Sequence, residues 1–214
     1  MLTFYHFPGA CSQAVFVALE ELGLAHRRVA VDLIRGEAQS AEFQAINPAG
    51  QIPALALPDG QLLSEAAAIL TWLADTHPGA DLLPTSPLAR ARAAEWMSFI
   101  GYSLHAASGP VWKPAKFLAD PTREAGIKAA GSERYLAALA VAEQRLGDKP
   151  WLLGEHYSLV DAYLLPFWHW PQRWRLDLSA FPRLAAWHQR MLARPAVQRV
   201  LAAEKDELKA LLAK

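Results

Sequence analysis

Residues 4–23, FYHFPGACSQAVFVALEELG, pass from one kind of secondary structure to another within a short span. The aromatic residues at its start predict a short strand, and the Pro-Gly dipeptide predicts a turn. Val15 and Leu19 then lie at helical spacing, and Gly23 is typical of a helix end. The segment therefore predicts a strand, a turn and a helix in direct succession. The only cysteine of the chain, Cys11, lies at the turn.

The residues that follow extend this segment into an α/β domain. An Asp-Gly dipeptide separates two apolar runs, as in a tight hairpin, and Ser64 is a suitable N-cap for the next helix. The predicted order of elements is βαβαββα. The later strands are predicted in RRVAVDL (27–33), PALAL (53–57) and QLL (61–63), and the later helices in SAEFQAI (40–46) and from Ser64 onward.

A change of composition separates this domain from the rest of the chain. THPGADLLPTSP is rich in proline and glycine, which is typical of a domain boundary. Beyond it, runs rich in Ala, Leu, Arg and Glu carry apolar residues at three- and four-residue spacing. We therefore predict an α/β domain in residues 1–80, a linker in residues 81–87 and an all-α domain in residues 88–214.

Composition limits the partners that the chain could have. It contains 21 Lys and Arg and 21 Asp and Glu, so no net charge favours nucleic acid or an anionic membrane. A single cysteine cannot close an internal disulfide bond, and the first residues, MLTFYHF, lack the pattern of a signal peptide. No uncharged apolar run reaches the ~18 residues of a membrane span. These features predict a cytoplasmic protein without nucleic-acid or membrane partners.

Cys11 is the first candidate for chemistry. If it lies on the first turn of the predicted helix, backbone N–H groups and the helix dipole favour the thiolate and lower the pKa of the thiol. The alternative is a buried cysteine that acts only as a small apolar side chain. Because the chain has no second cysteine, disulfide chemistry at Cys11 would need an external thiol.

Two further segments predict contacts with a peptide-like ligand. In NPAGQIPAL, a cis bond before Pro53 would leave the backbone of Ile52 open to an extended peptide, whereas a trans bond would make an ordinary turn. In LSEAAAIL, Glu65 and the amides that follow it could bind an ammonium group and a carboxylate. The alternative for Glu65 is a simple helix cap.

Together, FPGACS, INPAGQIPAL and LSEAAAIL resemble the glutathione transferase superfamily, and most of all its bacterial beta class. A further signature is SLVDAYL, in which Ser158 and Asp161 predict a capping box at a buried helix start. The resemblance spans nearly the whole chain. It implies a thioredoxin-like N-terminal domain, an all-α C-terminal domain, glutathione as substrate and a homodimer, which the small residues of PLARARAAEWMSFIG also favour.

The resemblance also implies roles for individual residues. Cys11 would face the glutathione sulfur, with Ser12 or Tyr5 as other donors to it, and His105 would approach from the helical domain. Arg35 would meet the glycyl carboxylate, while the other binding residues would hold the cysteinyl and γ-glutamyl units. The glutathione-binding residues implied in this way are Arg35, Gln51, Ile52, Pro53, Glu65 and Ala66.

A hydrophobic electrophile would lie between the domains, near Tyr5, Tyr102, Trp112 and Phe117. On an α-helix, the residues that share a face with His105 are small or polar, which is typical of a cleft or of a solvated surface. The sequence has neither tightly spaced His and Cys ligands nor a glycine-rich phosphate loop. We therefore predict no metal cofactor.

The leading hypothesis is an enzyme that conjugates glutathione to hydrophobic electrophiles, exchanges disulfides through Cys11, or does both. Ala66 and Ala106 stand where the family commonly has Ser or Gly and a basic residue, so the alternative is a binding or regulatory module with little activity. A zeta-type isomerase would need an arginine near the first helix, and GACSQAVF has none.

Overall fold

The computed structural model describes residues 1–213. Its strands form one mixed sheet in the order β2-β1-β3-β4. β1 (Leu2–His6) pairs in parallel with β2 (His26–Ala30) and antiparallel with β3 (Ala54–Ala56), and β4 (Leu62–Ser64) pairs antiparallel with β3. The predicted strands are confirmed, with shifts of a few residues at their ends.

Nine α-helices are present in residues 1–213, and the last seven follow the final strand of the sheet. A π-helical segment, Ile100–His105, joins α4 to α5. The α/β domain followed by an all-α domain is therefore confirmed. The helices are α1 (Gln13–Glu21), α2 (Ala41–Ile46), α3 (Ala66–Thr76), α4 (Pro87–Phe99), α5 (Ala106–Trp112), α6 (Glu124–Leu146), α7 (Leu159–Arg173), α8 (Pro182–Leu192) and α9 (Pro195–Leu212).

Helix α1 lies at the centre of the molecule. Every residue from Gln13 to Leu19 is buried, because α1 packs against α3, α7 and α9. One hydrophobic core therefore runs without a break from Phe4 in the sheet to Leu164 in α7. Within residues 1–213, no helix is both long and apolar enough to span a membrane.

The start of α7 is a buried capping box, as predicted. The backbone N–H and the hydroxyl of Ser158 both donate to Oδ2 of Asp161 at 2.9 Å. Its Oδ1 accepts from the backbone N–H of Leu152 and from Nε1 of Trp187, each at 2.9 Å. Burial raises the pKa of Asp161, and these four donors compensate for the loss of water around its carboxylate. The side chain thus fixes the start of α7 to α8 and to the preceding loop.

Two helices of the C-terminal domain hold the turn that precedes Cys11. The N–H of Gly9 donates to Oε2 of Glu204 in α9 at 3.1 Å, and its carbonyl accepts from Nε1 of Trp170 in α7 at 2.9 Å. Gly9 has a φ of 74°, and a Cβ at this position would clash with the guanidinium of Arg173. The turn therefore favours glycine for its backbone conformation, whereas the exposed guanidinium of Arg173 could move aside for a side chain at this position.

Candidate active site

Most of the predicted glutathione-binding residues meet in one cleft between the sheet, the start of α3 and the π-helical segment. The cleft encloses about 40 Å³. Asn47 and Tyr163 also line it, although the sequence did not predict them there. The predicted residues in its wall are Cys11, Gln51, Ile52, Pro53, Glu65, Ala66 and His105.

Cys11 lies in the cleft, but its predicted ionisation is wrong. The N-cap of α1 is Ser12, so Cys11 precedes the helix instead of lying on its first turn. The thiol is 6% exposed and donates to the carbonyl of Ile52 at 3.6 Å. Burial raises the pKa of the Cys11 thiol to about 12, and this outweighs the stabilisation of the thiolate by nearby backbone N–H groups. Cys11 is therefore a neutral thiol in this structure.

The bond between Ile52 and Pro53 is cis, which confirms the interpretation of NPAGQIPAL over the ordinary trans turn. Asn47 holds the loop before it: Nδ2 donates to the carbonyl of Gln51 at 2.7 Å, and Oδ1 accepts from the N–H of Ala49 at 3.2 Å. The loop presents the backbone of Ile52 beside the thiol.

Helix α3 begins at Ala66, because β4 extends through Ser64 and Glu65 occupies the N-cap position. The prediction that Ser64 is the N-cap of this helix is therefore wrong by one residue. Glu65 has a φ of 66° and makes no side-chain cap hydrogen bond, so the simple capping role is wrong as well. In residues 1–213, no side chain accepts from the amides of Ala66 or Ala67. The start of α3 therefore faces the cleft with open donors and a carboxylate beside them.

His105 ends the π-helical segment and faces the cleft from the helical domain. Its ring packs edge-on against Phe167 and Trp170, with centroids 5.3 and 5.5 Å away. These neighbours come from α7, so the small and polar face expected from α-helical spacing does not describe its surroundings. His105 as a whole is exposed, yet partial desolvation of its ring lowers the pKa of the imidazole, which favours its neutral form.

Six predicted site residues lie outside the cleft, and three of them belong to the α/β domain. Ser12 is fully buried, and its hydroxyl both donates to the carbonyl and accepts from the N–H of Phe7 at 3.2 Å. Tyr5 packs edge-on against Phe43 of α2, with centroids 5.9 Å apart, in a separate small core. The guanidinium of Arg35 donates to Oδ2 of Asp32 at 2.6 Å and to the carbonyl of Leu211 at 3.2 Å.

The predicted electrophile residues of the helical domain are exposed aromatic side chains that do not line the cleft. Tyr102 is 83% exposed, Phe117 60% and Trp112 43%. Trp112 packs edge-on against Trp170, with centroids 5.9 Å apart, and Trp170 in turn contacts His105. Trp112 is thus linked to the cleft through one shared aromatic neighbour. Residues 1–213 contain no group of three side chains that could hold a metal ion.

Tyr163 is the main residue of the cleft that the sequence analysis missed. It belongs to the SLVDAYL motif, which we interpreted only as a capping box. Its hydroxyl lies so close to Gly101 that a Cβ there would be 3.3 Å away, and burial raises the pKa of the phenol. A helix that is apolar on all sides, as α7 is, gives no local signal for the face that meets the cleft.

Two family models match the chain: the N-terminal domain of glutathione S-transferases over residues 9–76 and their C-terminal domain over residues 103–195. A glutathione S-transferase of Escherichia coli O157:H7 is 35% identical over 94% of this chain and 97% of its own length. A maleylacetoacetate isomerase of Pseudomonas aeruginosa is 29% identical over 97% of this chain and 98% of its own length. A disulfide-bond oxidoreductase of Escherichia coli K12 is 30% identical over 94% of this chain and 94% of its own length. The chain belongs to the glutathione transferase family.

Solved structures agree with this assignment. A glutathione transferase homologue from Sulfitobacter, with bound glutathione, matches with a TM-score of 0.88 at 33% identity, over 97% of this chain and 98% of its own. A beta-class glutathione S-transferase of Sphingomonas chungbukensis matches with a TM-score of 0.84 at 36% identity, over 94% of this chain and 98% of its own. The resemblance that the motifs indicated is therefore confirmed.

Proposed function

We propose that the cleft binds glutathione and that the enzyme conjugates it to hydrophobic electrophiles. The observation that carries this proposal is the meeting of three features in one cleft: the Cys11 thiol, the backbone of Ile52 at a cis proline, and the open start of α3. The α3 amides suit the γ-glutamyl carboxylate and Glu65 suits the adjacent ammonium. The bound glutathione in the homologue from Sulfitobacter supports the same ligand.

The neutral Cys11 thiol suits a donor better than a nucleophile. With its pKa raised to about 12, the thiol keeps its proton at neutral pH and can donate it to the glutathione sulfur instead of to the carbonyl of Ile52. A hydrogen bond to the charged form of glutathione lowers the pKa of its thiol, which then loses its proton to solvent. The resulting thiolate attacks the electrophile, and a C–S bond forms as the leaving group departs.

We propose that the electrophilic substrate is apolar, with either an aromatic or an aliphatic body. Trp112 and Phe117 present exposed rings on the helical domain, and Trp112 is one aromatic neighbour away from His105. Aromatic walls of this kind favour an apolar substrate because they are desolvated on contact. The neutral His105 can donate one hydrogen bond near the reacting sulfur.

Measurement of the pKa of bound glutathione, from the ultraviolet absorbance of its thiolate, tests this mechanism. We expect Cys11→Ala to bind glutathione but to raise that pKa by about one unit, the effect of one lost hydrogen bond. Cys11→Ser keeps a donor and is the matched control, so it should stay close to the unmodified protein. An unchanged pKa in Cys11→Ala would contradict the donor role. A failure of the unmodified protein to bind glutathione in calorimetry would contradict the whole proposal, whereas binding without conjugation would favour the regulatory module.

Thiol–disulfide exchange is a second candidate, because the only cysteine stands in the cleft beside Ile52. In this reaction, Cys11 must first lose its proton, which its raised pKa opposes at neutral pH; the thiolate then attacks oxidised glutathione, a mixed disulfide forms, and one glutathione thiolate leaves. Intact mass spectrometry should then show one glutathionyl group that dithiothreitol removes and that Cys11→Ala lacks. A native protein that stays unmodified while the urea-unfolded chain reacts would rule this candidate out.

We also propose that the protein is a cytoplasmic homodimer that pairs through α4. Leu88 is 71% exposed near the start of α4, and Ala91 and Ala94 extend the same exposed face. Small side chains allow two helices to approach closely. Sedimentation equilibrium should give twice the 23.5 kDa mass of the chain, and Leu88→Glu should give the monomer. A monomer in the unmodified protein would contradict the proposal.

A further inference from the structure

The hydroxyl of Tyr163 is a donor in the cleft that no group of residues 1–213 uses. Tyr163 is 5% exposed and lines the cleft from α7. Its hydroxyl makes no hydrogen bond within the described part of the chain, and burial is the main cause that raises the pKa of the phenol. This hydroxyl is open to the cleft, unlike that of Tyr157, which is enclosed elsewhere. Because a buried hydroxyl normally has a partner, the unused donor of Tyr163 indicates where an atom of the ligand would lie.

The surroundings of Tyr163 hold this hydroxyl in a fixed place. The ring packs edge-on against Phe167, with centroids 5.5 Å apart. Two residues before Tyr163, the four hydrogen bonds of Asp161 fix the start of α7. On the π-helical segment, Gly101 leaves room for the hydroxyl, since a Cβ there would lie 3.3 Å from it. A donor that is in place before the substrate binds needs little reorganisation when charge develops on the substrate.

The charges around the cleft determine which ligand atom needs this donor. Cys11 and Glu65 are both close enough to Tyr163 to raise the pKa of its phenol further. In the proposed binding mode, the glutathione sulfur lies beside Cys11. Among the described residues of the cleft wall, Glu65 is the only charged side chain, because the Cys11 thiol and the His105 imidazole are neutral. A glutathione thiolate in this cleft therefore depends on neutral donors, since no cationic side chain in the wall offsets its charge.

We propose that Tyr163 is a further catalytic residue, whose hydroxyl donates a hydrogen bond to the sulfur of glutathione. This inference rests on the proposed function. Tyr163 donates from the helical domain, and the Cys11 thiol donates to the same sulfur from the α/β domain. The phenol keeps its own proton, and the proton of the glutathione thiol leaves to solvent. Both donors bind the thiolate more strongly than the thiol, so together they lower the pKa of bound glutathione.

Tyr163→Phe tests the proposal, because it removes only the hydroxyl and keeps the ring that packs against Phe167. Thermal unfolding checks that the variant folds. We expect the pKa of bound glutathione, from the absorbance of its thiolate, to rise by about one unit. At pH values below that pKa, conjugation of chlorodinitrobenzene should be about tenfold slower, and the rate should recover at higher pH. Tyr157→Phe is the matched control: it removes an enclosed hydroxyl away from the cleft, and it should leave the pKa and the rate unchanged.

A double variant shows whether Tyr163 reaches the sulfur itself. If both side chains donate to the sulfur, Cys11→Ala combined with Tyr163→Phe should raise the pKa of bound glutathione further than either substitution alone. No further rise in the double variant would mean that Tyr163 only orients the Cys11 thiol, and it would overturn the proposal. An unchanged pKa in Tyr163→Phe, or an equal rise in Tyr157→Phe, would overturn it as well.

Calorimetry separates the role of Tyr163 from the proposed function. At a pH below the pKa of the bound thiol, the unmodified protein and Tyr163→Phe should bind glutathione with the same affinity, because the thiol is protonated in both. A loss of affinity in Tyr163→Phe at this pH would make the hydroxyl a general binding contact and overturn its role at the thiolate. If the unmodified protein binds no glutathione, the proposed function fails together with this inference. If it binds glutathione and lowers the pKa of the thiol equally with and without the Tyr163 hydroxyl, only this inference fails.

Discussion

The starts of α3 and α7 meet the same backbone requirement in opposite ways. The first amides of an α-helix have no partners within the helix. At α7, the fully buried Asp161 accepts four hydrogen bonds that fix the N-cap residue Ser158 in place, and the first helical amide, that of Leu159, donates to the carbonyl of Leu82. At α3, Glu65 has a φ of 66° and its side chain caps nothing. A closed start contributes stability, whereas an open and strained start keeps its donors for a ligand at a cost in stability.

Asp161→Ala should have the largest effect and should act on stability alone. It leaves the N–H groups of Leu152 and Ser158 and the indole of Trp187 buried without an acceptor. We expect a loss of about 3–5 kcal/mol in the free energy of unfolding, measured with urea. Asp161→Asn keeps one acceptor oxygen and should lose less. Normal stability with lost glutathione binding would reverse the roles that we assign to the two helix starts.

Glu65→Gln should have the next largest effect, and it should act on binding. In the proposed binding mode, the substitution removes the charge that would face the ammonium group of glutathione, so we expect an affinity about 10-fold to 30-fold lower by calorimetry. The free energy of unfolding should change by less than about 0.5 kcal/mol, because the side chain makes no cap hydrogen bond. Glu155→Gln, at an exposed position away from the cleft, is the matched control. Equal affinities in the two variants would contradict the role of Glu65.

Glu65→Gly should have the smallest effect and the opposite sign. A positive φ at a non-glycine residue costs about 1–3 kcal/mol of stability, and glycine removes that cost. Part of the gain is lost again, because glycine has greater conformational freedom in the unfolded chain. We expect the protein to be about 1 kcal/mol more stable towards urea while it binds glutathione more weakly. Glu65→Ala lacks the side chain but keeps the strain, and it should not be stabilised. Equal stability of the two variants would show that the backbone at Glu65 is not strained.

The features that the sequence predicted well depend on residues close together in the chain. The capping box needs only Ser158 and Asp161, three positions apart, and the hairpin after β3 needs only an Asp-Gly dipeptide. The cleft was largely predictable for a similar reason. Its predicted residues lie in short segments whose patterns resemble a known family, such as the one that ends at the cis Pro53.

The structure departs from the sequence-based expectations where distant residues determine a property. The pKa of Cys11 depends on burial beside the carbonyl of Ile52, 41 positions away, and no helix-start rule contains that information. Arg35 contacts the carbonyl of Leu211, 176 positions away, instead of the cleft. For His105, the assumption of an α-helix was wrong, because a π-helical segment changes which residues share its face.

The two hydrogen bonds that α7 and α9 make to Gly9 also affect the cooperativity with which the protein unfolds. Neither half can open without exposing the backbone of this turn and the core that surrounds α1. We therefore expect that the predicted domain boundary at residue 80 does not separate two cooperative units, and that residues 1–80 expressed alone remain unfolded. Calorimetry of the whole chain should show a single transition, and the amide of Gly9 should exchange its hydrogen only as slowly as global unfolding allows. The turn that carries Cys11 thus has the lifetime of the entire fold, unlike the mobile loops on which many enzymes carry their reactive groups.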